Sequence, residues 1–528
     1  MQMSILAGFL VVLTLRTVEM EQRVPFWLAA GGYLLGSILL SWLGSALSLR
    51  AMRRDGPASS RAMRRGILAD LLHQFWLIGG LGLAIWAGYG WWVMNDLRLE
   101  GVPLLWFLAE IAPLLAAVML HWLLDYPLQR ELRRRFTGGP GEAGAAPRPL
   151  WTRKDYFLFR LRQDLLLVGV PLVLILTWGD CVELYAKPLF RLDWQEWAAA
   201  AISFAGALVM LSLAPWLIVR AWGTRRLADG PLRDALAEVG RRSGARFREM
   251  LLWPTGGNVA NAAVLGVLRP WRYVLLSDAL IEHTDARDVE AVFCHEVGHV
   301  RAHHLFYMML FIVSAATLCT LAGAGLAWLA QQAASGMMPI SDSQRDAAGE
   351  VASLVLLVAA VWLLFGWISR RIERQCDVFA AWMMGNAATF GVAPASSFAA
   401  TFSRDSALRS EALRFAEQSP EASAQGPSAQ RTGADTPKVQ LDRRITPEGA
   451  AIFSWALRRI VELNCGSIHR GNWRHGSVAW RLEYLMDLSA SGGTLDPIDR
   501  LVRRIKLGIW AAAILAAGLT ALAAYFSG

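Results

Sequence analysis

The sequence predicts a mainly α-helical, polytopic membrane protein with about eight spans and a small α+β domain on the cytoplasmic side. Three observations carry this. Of the 528 residues, 55% are hydrophobic and only 18% charged, against about a quarter charged in soluble domains. Eight apolar stretches reach, or nearly reach, the roughly 20 residues a helix needs to cross a bilayer core. The connections between them alternate in arginine content. The same composition excludes a disordered, collagen-like or disulfide-scaffold chain. Cys181, Cys294, Cys319, Cys376 and Cys465 are too few and scattered for a disulfide framework and read as reduced thiols. In a soluble protein the net charge of +9 would suggest nucleic acid. Here the arginines cluster between apolar runs, so they read as membrane orientation, and no nucleic-acid partner is expected.

The stretches are residues 25–49, 75–94, 102–124, 165–178, 197–219, 305–330, 351–368 and 507–526. The fourth is short. Residues 5–15 form a further apolar run with no small-residue cleavage site after it, so it is not read as a signal peptide. Arg50, Arg53, Arg54, Arg61, Arg64 and Arg65 follow the first stretch, whereas only Arg98 follows the second. Arg130, Arg133, Arg134 and Arg135 follow the third, Arg220, Arg225 and Arg226 the fifth, and Arg370, Arg371 and Arg374 the seventh. The positive-inside rule then makes the odd connections cytoplasmic. The expected division is residues 1–222, a membrane region of five spans; 223–304, a first cytoplasmic segment; 305–370, two spans; 371–506, a second cytoplasmic segment; and 507–528, a last span. Residues 418–438, rich in Pro, Ser, Ala and Gln, are expected to form a mobile loop. Glu110 and His121 fall within the third stretch, where ionisable groups face a cavity or a partner.

The first cytoplasmic segment contains His295-Glu296-Val297-Gly298-His299. On a helix, positions i and i+4 lie about 40° apart around the axis and about 6 Å along it, so both imidazoles can point at one Zn²⁺. Zinc lowers the pKa of its water, and the glutamate beside the first histidine can accept the proton, which gives a nucleophile for a peptide carbonyl. Thr284 and Asp285 offer N-cap oxygens for this helix, and residues 272–277 read as a strand before it. His303 and His304 do not fit the spacing of a further histidine ligand and are assigned to the membrane boundary. A catalytic zinc needs a third protein ligand and an open position. Glu373 supplies it, on the same side of the membrane, and Asp377 one turn later can orient a zinc-bound imidazole.

With these residues in place the chain resembles the integral-membrane gluzincin peptidases, the family of the a-factor-converting CAAX prenyl endopeptidases and the HtpX heat-shock proteases. Asn261-Ala262 with Gly266 resembles the family's edge-strand motif, residues 295–299 its zinc helix, and residues 373–380 its third-ligand helix. His475-Gly476-Ser477 with Arg481 resembles a C-terminal His-Pro-Ser motif and its arginine, with Gly476 where the family usually has proline. Five spans before the zinc helix and two between it and Glu373 follow the prenyl-endopeptidase plan, in which membrane helices enclose a chamber closed by the zinc domain. An eighth span has no counterpart there.

The expected protein is therefore a zinc metalloendopeptidase with one Zn²⁺ per chain, bound by His295, His299 and Glu373. Glu296 is the general base, Asp377 the carboxylate behind a zinc ligand, and His475 a donor to the oxyanion. Asn261 and Ala262 bind an extended substrate by strand addition, and Arg481 positions substrate or Glu373. Cys294 and Cys376 are small packed residues. The site faces the cytoplasm, and the substrate is a peptide or protein at the bilayer, processed or degraded there. Two other readings stay open: a quality-control protease of the HtpX type, and a non-catalytic membrane scaffold with a structural zinc. A metal transporter would need ligands inside spans, and this cluster lies outside them.

Overall fold

The computed structural model describes residues 21–55, 60–99, 103–136, 150–186, 196–334, 341–386, 443–464, 466–471 and 473–527, with short pieces within 5–12. Among them, eight helices are long and apolar enough to cross a bilayer: Phe26–Arg54, Leu68–Asn95, Leu104–Arg134, Arg153–Tyr185, Ala201–Ala221, His304–Ala333, Gln344–Gly385 and Asp496–Ala523. Their apolar side chains turn outward, as lipid-facing helices require: Trp362, Leu363 and Leu364 on the seventh are each more than half exposed. The expected loop at 418–438 lies outside the described residues.

Two spans differ from the hydropathy expectation in a way that matters for the site. The fourth is long, 33 residues. Arg160, Arg162 and Asp164 interrupt its apolar run, but Arg160 pairs with Asp164 at 3.0 Å one turn on, so the helix continues through a π-helical turn at Leu161–Leu166. The seventh runs for 42 residues, so Glu373 and Asp377 sit on the continuation of a membrane helix. The last helix likewise begins well before its apolar part, at Asp496.

Spans one to three are tied by a polar seam. Ser37 bonds His73 at 3.0 Å, Ser41 bonds His121 at 2.8 Å, and Ser45 donates to Asp125 at 3.1 Å. The serines recur every four residues, so one helical face carries all three. His121 thus meets a partner helix, and the hydroxyls do the interhelical bonding that apolar side chains cannot do in lipid.

Beyond the spans lies a four-stranded sheet in the order β1-β2-β4-β3: β1 Arg225–Arg226, β2 Glu249–Trp253, β3 Ala262–Leu265 and β4 Tyr273–Ser277. β2 and β4 are parallel, and the outer pairings are antiparallel. β4 is buried at every position, as a central strand covered on both faces should be. Against the sheet packs the helix Ala286–Arg301. Its Val289, Phe293 and Val297 share one core with Phe379 and Met383 of the seventh span's extension, Phe453 of helix Pro447–Leu463, Leu485 of helix Val478–Ala490, and Ile498 and Val502 of the last helix. The segments that follow the fifth and the seventh spans therefore share one core. Arg133 of the third span and Trp151 hold the loop before β3 by bonding the carbonyls of Asn258 and Thr255.

Candidate metal centre

Helix Ala286–Arg301 starts at Asp285, which has extended backbone but makes no side-chain cap. The cap expected from Thr284 or Asp285 is absent because the Thr284 hydroxyl bonds back to Leu280 O. The helix's other end is held by Lys506 of the last helix, whose ammonium bonds Ala302 O at 2.5 Å, a favourable place for a cation. The chain then turns sharply through His303, at φ 53°, and enters the sixth span at His304.

Gly298 permits the close approach of this helix to the seventh span's extension. A Cβ there would stand 3.2 Å from Cys376 Sγ and 3.3 Å from Cys376 Cα. Gly298→Val is expected to cost about 1–3 kcal/mol of stability, read as a lower thermal midpoint in detergent, with Gly298→Ala milder. Cys294 and Cys376 are fully buried packing residues.

Among the described residues, two sets of three donors lie within 4.8 Å of one another: His295, His299 and Glu373, and His299, His304 and Cys376. The first opens onto the cleft. His295 Nε2 lies 3.3 Å from His299 Nε2 and 3.5 Å from Glu373 Oε2, and His299 Nε2 lies 3.7 Å from Glu373 Oε1. Ligands about 2.0–2.2 Å from a tetrahedral zinc stand about 3.3–3.6 Å apart, so the donor set fits that ion. The second set lies behind the first, on the Nδ1 side of His299, with Cys376 fully buried and His304 nearly so.

The two histidines have unlike surroundings. His295 Nδ1 sits 3.0 Å from Asp377 Oδ1, off the line of a regular ring N–H hydrogen bond. Burial alone would lower its pKa, but the close Asp377 and Glu373 carboxylates overcome this and raise it to about 10. His299 is lowered to about 4, chiefly by burial. A place where carboxylates hold a proton this firmly on an imidazole is one where a metal cation can replace that proton. Burial also raises the pKa of Glu296, whose carboxylate accepts a hydrogen bond from the Val264 backbone of β3.

Arg481 is nine-tenths buried, and its guanidinium clasps Asp377 with Nε to Oδ2 at 2.7 Å and Nη2 to Oδ1 at 2.5 Å; Nη1 lies 3.5 Å from Glu373 Oε2. Of the two partners expected for Arg481, substrate or Glu373, the structure places it beside Glu373 and adds Asp377, and a cation there makes the burial of both carboxylates tolerable. His475 lies at the rim with Nδ1 3.0 Å from Glu373 Oε1. Gly476 has φ 73°, which proline, held near −65°, cannot adopt. The glycine at this place is what the turn into helix Val478–Ala490 needs.

β3 is the sheet's outer strand and borders a cleft of about 1630 Å³. That is larger than an ordinary small-molecule pocket of about 300–1,000 Å³. Asn261 spends its backbone on Ser277, donating to Oγ at 2.9 Å and accepting from Ser277 N at 3.0 Å. By antiparallel alternation Ala262 and Val264 then point their backbone groups away from β4. The outward backbone groups of β3 are therefore those of Ala262, which is buried, and of Val264, which meets Glu296, while Asn261 contributes an exposed side chain. Sequence reasoning missed Asn464, whose amide bonds both N and O of Ala260 at 3.1 and 2.6 Å and closes the edge there. It also missed His304, set behind His299.

Residues 230–428 match the family described as Peptidase family M48. The protease HtpX of Pseudomonas putida (strain W619) is 26% identical over 205 residues, covering 36% of this chain and 66% of that protein. The HtpX of Pseudomonas entomophila (strain L48) is 30% identical over 117 residues, 21% of this chain and 39% of that one. The chain thus spans just under two thirds of the length of the first of these relatives. The crystal structure of S. mikatae Ste24p aligns over 88% of this chain and 100% of that chain with a TM-score of 0.35 and 13% identity.

Proposed function

Because the chain is a multi-pass membrane protein carrying a peptidase family M48 region at residues 230–428, we propose that it is a zinc-dependent endopeptidase that cuts extended peptide segments at the cytoplasmic face of a membrane. The observation that carries this is the triangle of His295, His299 and Glu373 donors, with Glu296 between it and the outer strand β3. When bound there, zinc supplies a Lewis acid that polarises the scissile carbonyl and acidifies water. Glu296 takes the proton from the attacking water and delivers it to the leaving amide nitrogen. A substrate strand adds to β3 through the outward backbone groups of Ala262 and Val264. By occupying Val264 N–H it frees the Glu296 carboxylate to face the water. His475, at the rim, donates to the carbonyl oxygen as it becomes negative. Asp377 holds the His295 ring, and Arg481 holds Asp377. The arginines at the cytoplasmic ends of the spans set the sidedness.

The substrate is proposed to be a membrane-associated protein. The cleft reaches from β3 to Phe306, Met309 and Ile312 at the start of the sixth span, so an apolar flank of the substrate would lie where that helix enters the bilayer. The test is metal content and cleavage of a casein or peptide substrate by the full chain in detergent. About one zinc per chain, with cleavage abolished by a chelator and restored by Zn²⁺, is the expected result. Protein that binds no zinc after careful loading overturns the reading, and zinc without cleavage of any tested peptide favours the scaffold alternative.

A further inference from the structure

His299 turns Nε2 toward the metal donors and Nδ1 away from the cleft, where it lies 3.2 Å from Nδ1 of His304. His304 Nε2 lies 2.8 Å from Oε1 of Gln375, and Gln375 Nε2 donates to Asp499 Oδ1 at 2.7 Å. The chain of contacts ends there. Asp499 is paired with Arg443, and a carboxylate so paired can only accept.

The proton positions follow from that fixed end. Because Asp499 accepts, Gln375 presents its NH₂ to it and its carbonyl oxygen to His304. His304 must then donate from Nε2, which leaves a lone pair on Nδ1 in the neutral ring. That lone pair accepts from His299 Nδ1–H, so the lone pair of His299 is on Nε2. The Cys376 thiol, 3.5 Å from His304 Nδ1, faces the same lone pair. A neutral imidazole otherwise has two tautomers, and the one protonated at Nε2 cannot ligate a metal through Nε2, the nitrogen that faces His295 and Glu373.

We propose that His304, Gln375 and Asp499 form a relay that locks His299 in the metal-binding tautomer, with His304 as its positioning residue. This rests on the zinc site proposed above. His295 and His299 are then oriented by different chemistry, a carboxylate clasped by arginine for one and an imidazole–amide–carboxylate series for the other. The relay also gives the last helix a task. Asp499 sits in its first turn, and Gln375 lies between Glu373 and Asp377 on the opposite face of their helix, about 200° around from each. One helix thus presents ligand chemistry forward and tautomer control backward.

The experiment is competition for Zn²⁺ against a chromophoric chelator, with the Co²⁺ absorption spectrum as a second readout, on the full chain in detergent. His304→Leu is expected to weaken zinc binding by about 10–100-fold and to alter the Co²⁺ bands. His304→Asn, whose Oδ1 can accept near the position of Nδ1, should return affinity to within about threefold of the unsubstituted chain, since second-shell losses follow the missing acceptor. Gln375→Leu, which leaves His304 in place but removes its acceptor, should weaken binding as well; it decides the question if His304→Leu does not fold. Unchanged zinc affinity and Co²⁺ spectrum in folded His304→Leu overturns the proposal, and so does a His304→Asn variant as weak as His304→Leu. Failure of the unsubstituted chain to bind zinc would instead overturn the metal site itself.

Discussion

Glu296→Gln is expected to lower peptide cleavage by about 10²–10⁴-fold, the range for losing a general acid–base group, while zinc content stays at that of the unsubstituted chain. The glutamine keeps the shape of the side chain and can still lie against β3, but it cannot take a proton from water. Metal retention is expected because Glu296 lies outside the donor triangle of His295, His299 and Glu373. Measured together, zinc stoichiometry and turnover separate this from an indirect effect on the site. Cleavage within tenfold of the unsubstituted chain would remove Glu296 from the mechanism, and loss of zinc would make it a structural group.

The second large effect is expected at Arg481. Arg481→Leu leaves Asp377, 1% exposed, and Glu373, 7% exposed, without the guanidinium that bridges them. Breaking a buried ion pair by deleting one partner costs about 3–5 kcal/mol, because the remaining charge stays buried. The variant should therefore melt well below the unsubstituted chain. The part that folds should bind zinc more weakly by about 10–100-fold, since Asp377 is no longer held against His295. Arg481→Lys should recover part of the stability: it restores the charge but cannot form the two parallel bonds to Asp377. Thermal unfolding and zinc competition on the three proteins check this. A Leu variant as stable as its parent would show that the carboxylates are neutralised by some other group.

What the sequence makes readable, and what it hides, divides along physical lines. The shared face of His295 and His299 is local, set by four-residue helical spacing, and so is that of Glu373 and Asp377. Hydropathy also gives the mainly helical, multi-span architecture, because a bilayer imposes a length on each apolar run. The extent of a helix is less visible. The fourth span looks short because Arg160 and Asp164 count as polar singly, although they neutralise each other across one turn. Contacts made by folding leave no local trace. Asn464 reaches Ala260 across 204 positions. His304 approaches His299 through a corner at His303 whose positive φ no simple pattern announces. The expectation places Asn261 and Ala262 together at the outer strand, but which of two neighbours turns its backbone outward depends on the pairing with Ser277, which takes both backbone groups of Asn261.

The place of Glu373, the proposed third ligand, on the continuation of the seventh span gives the bilayer a mechanical lever on the chemistry. From Ala360 to Glu373 the helix rises about 20 Å at 1.5 Å per residue. A tilt of about 5°, of the kind a change in hydrocarbon thickness imposes on a spanning helix, swings a point at that radius by about 1.7 Å. A misplacement of about 1 Å is already enough to cost an enzyme about a hundredfold. Unless the core shared by the segments outside the spans absorbs the swing, lipid acyl-chain length becomes a variable of the proposed site, as much a setting as the identity of its donors.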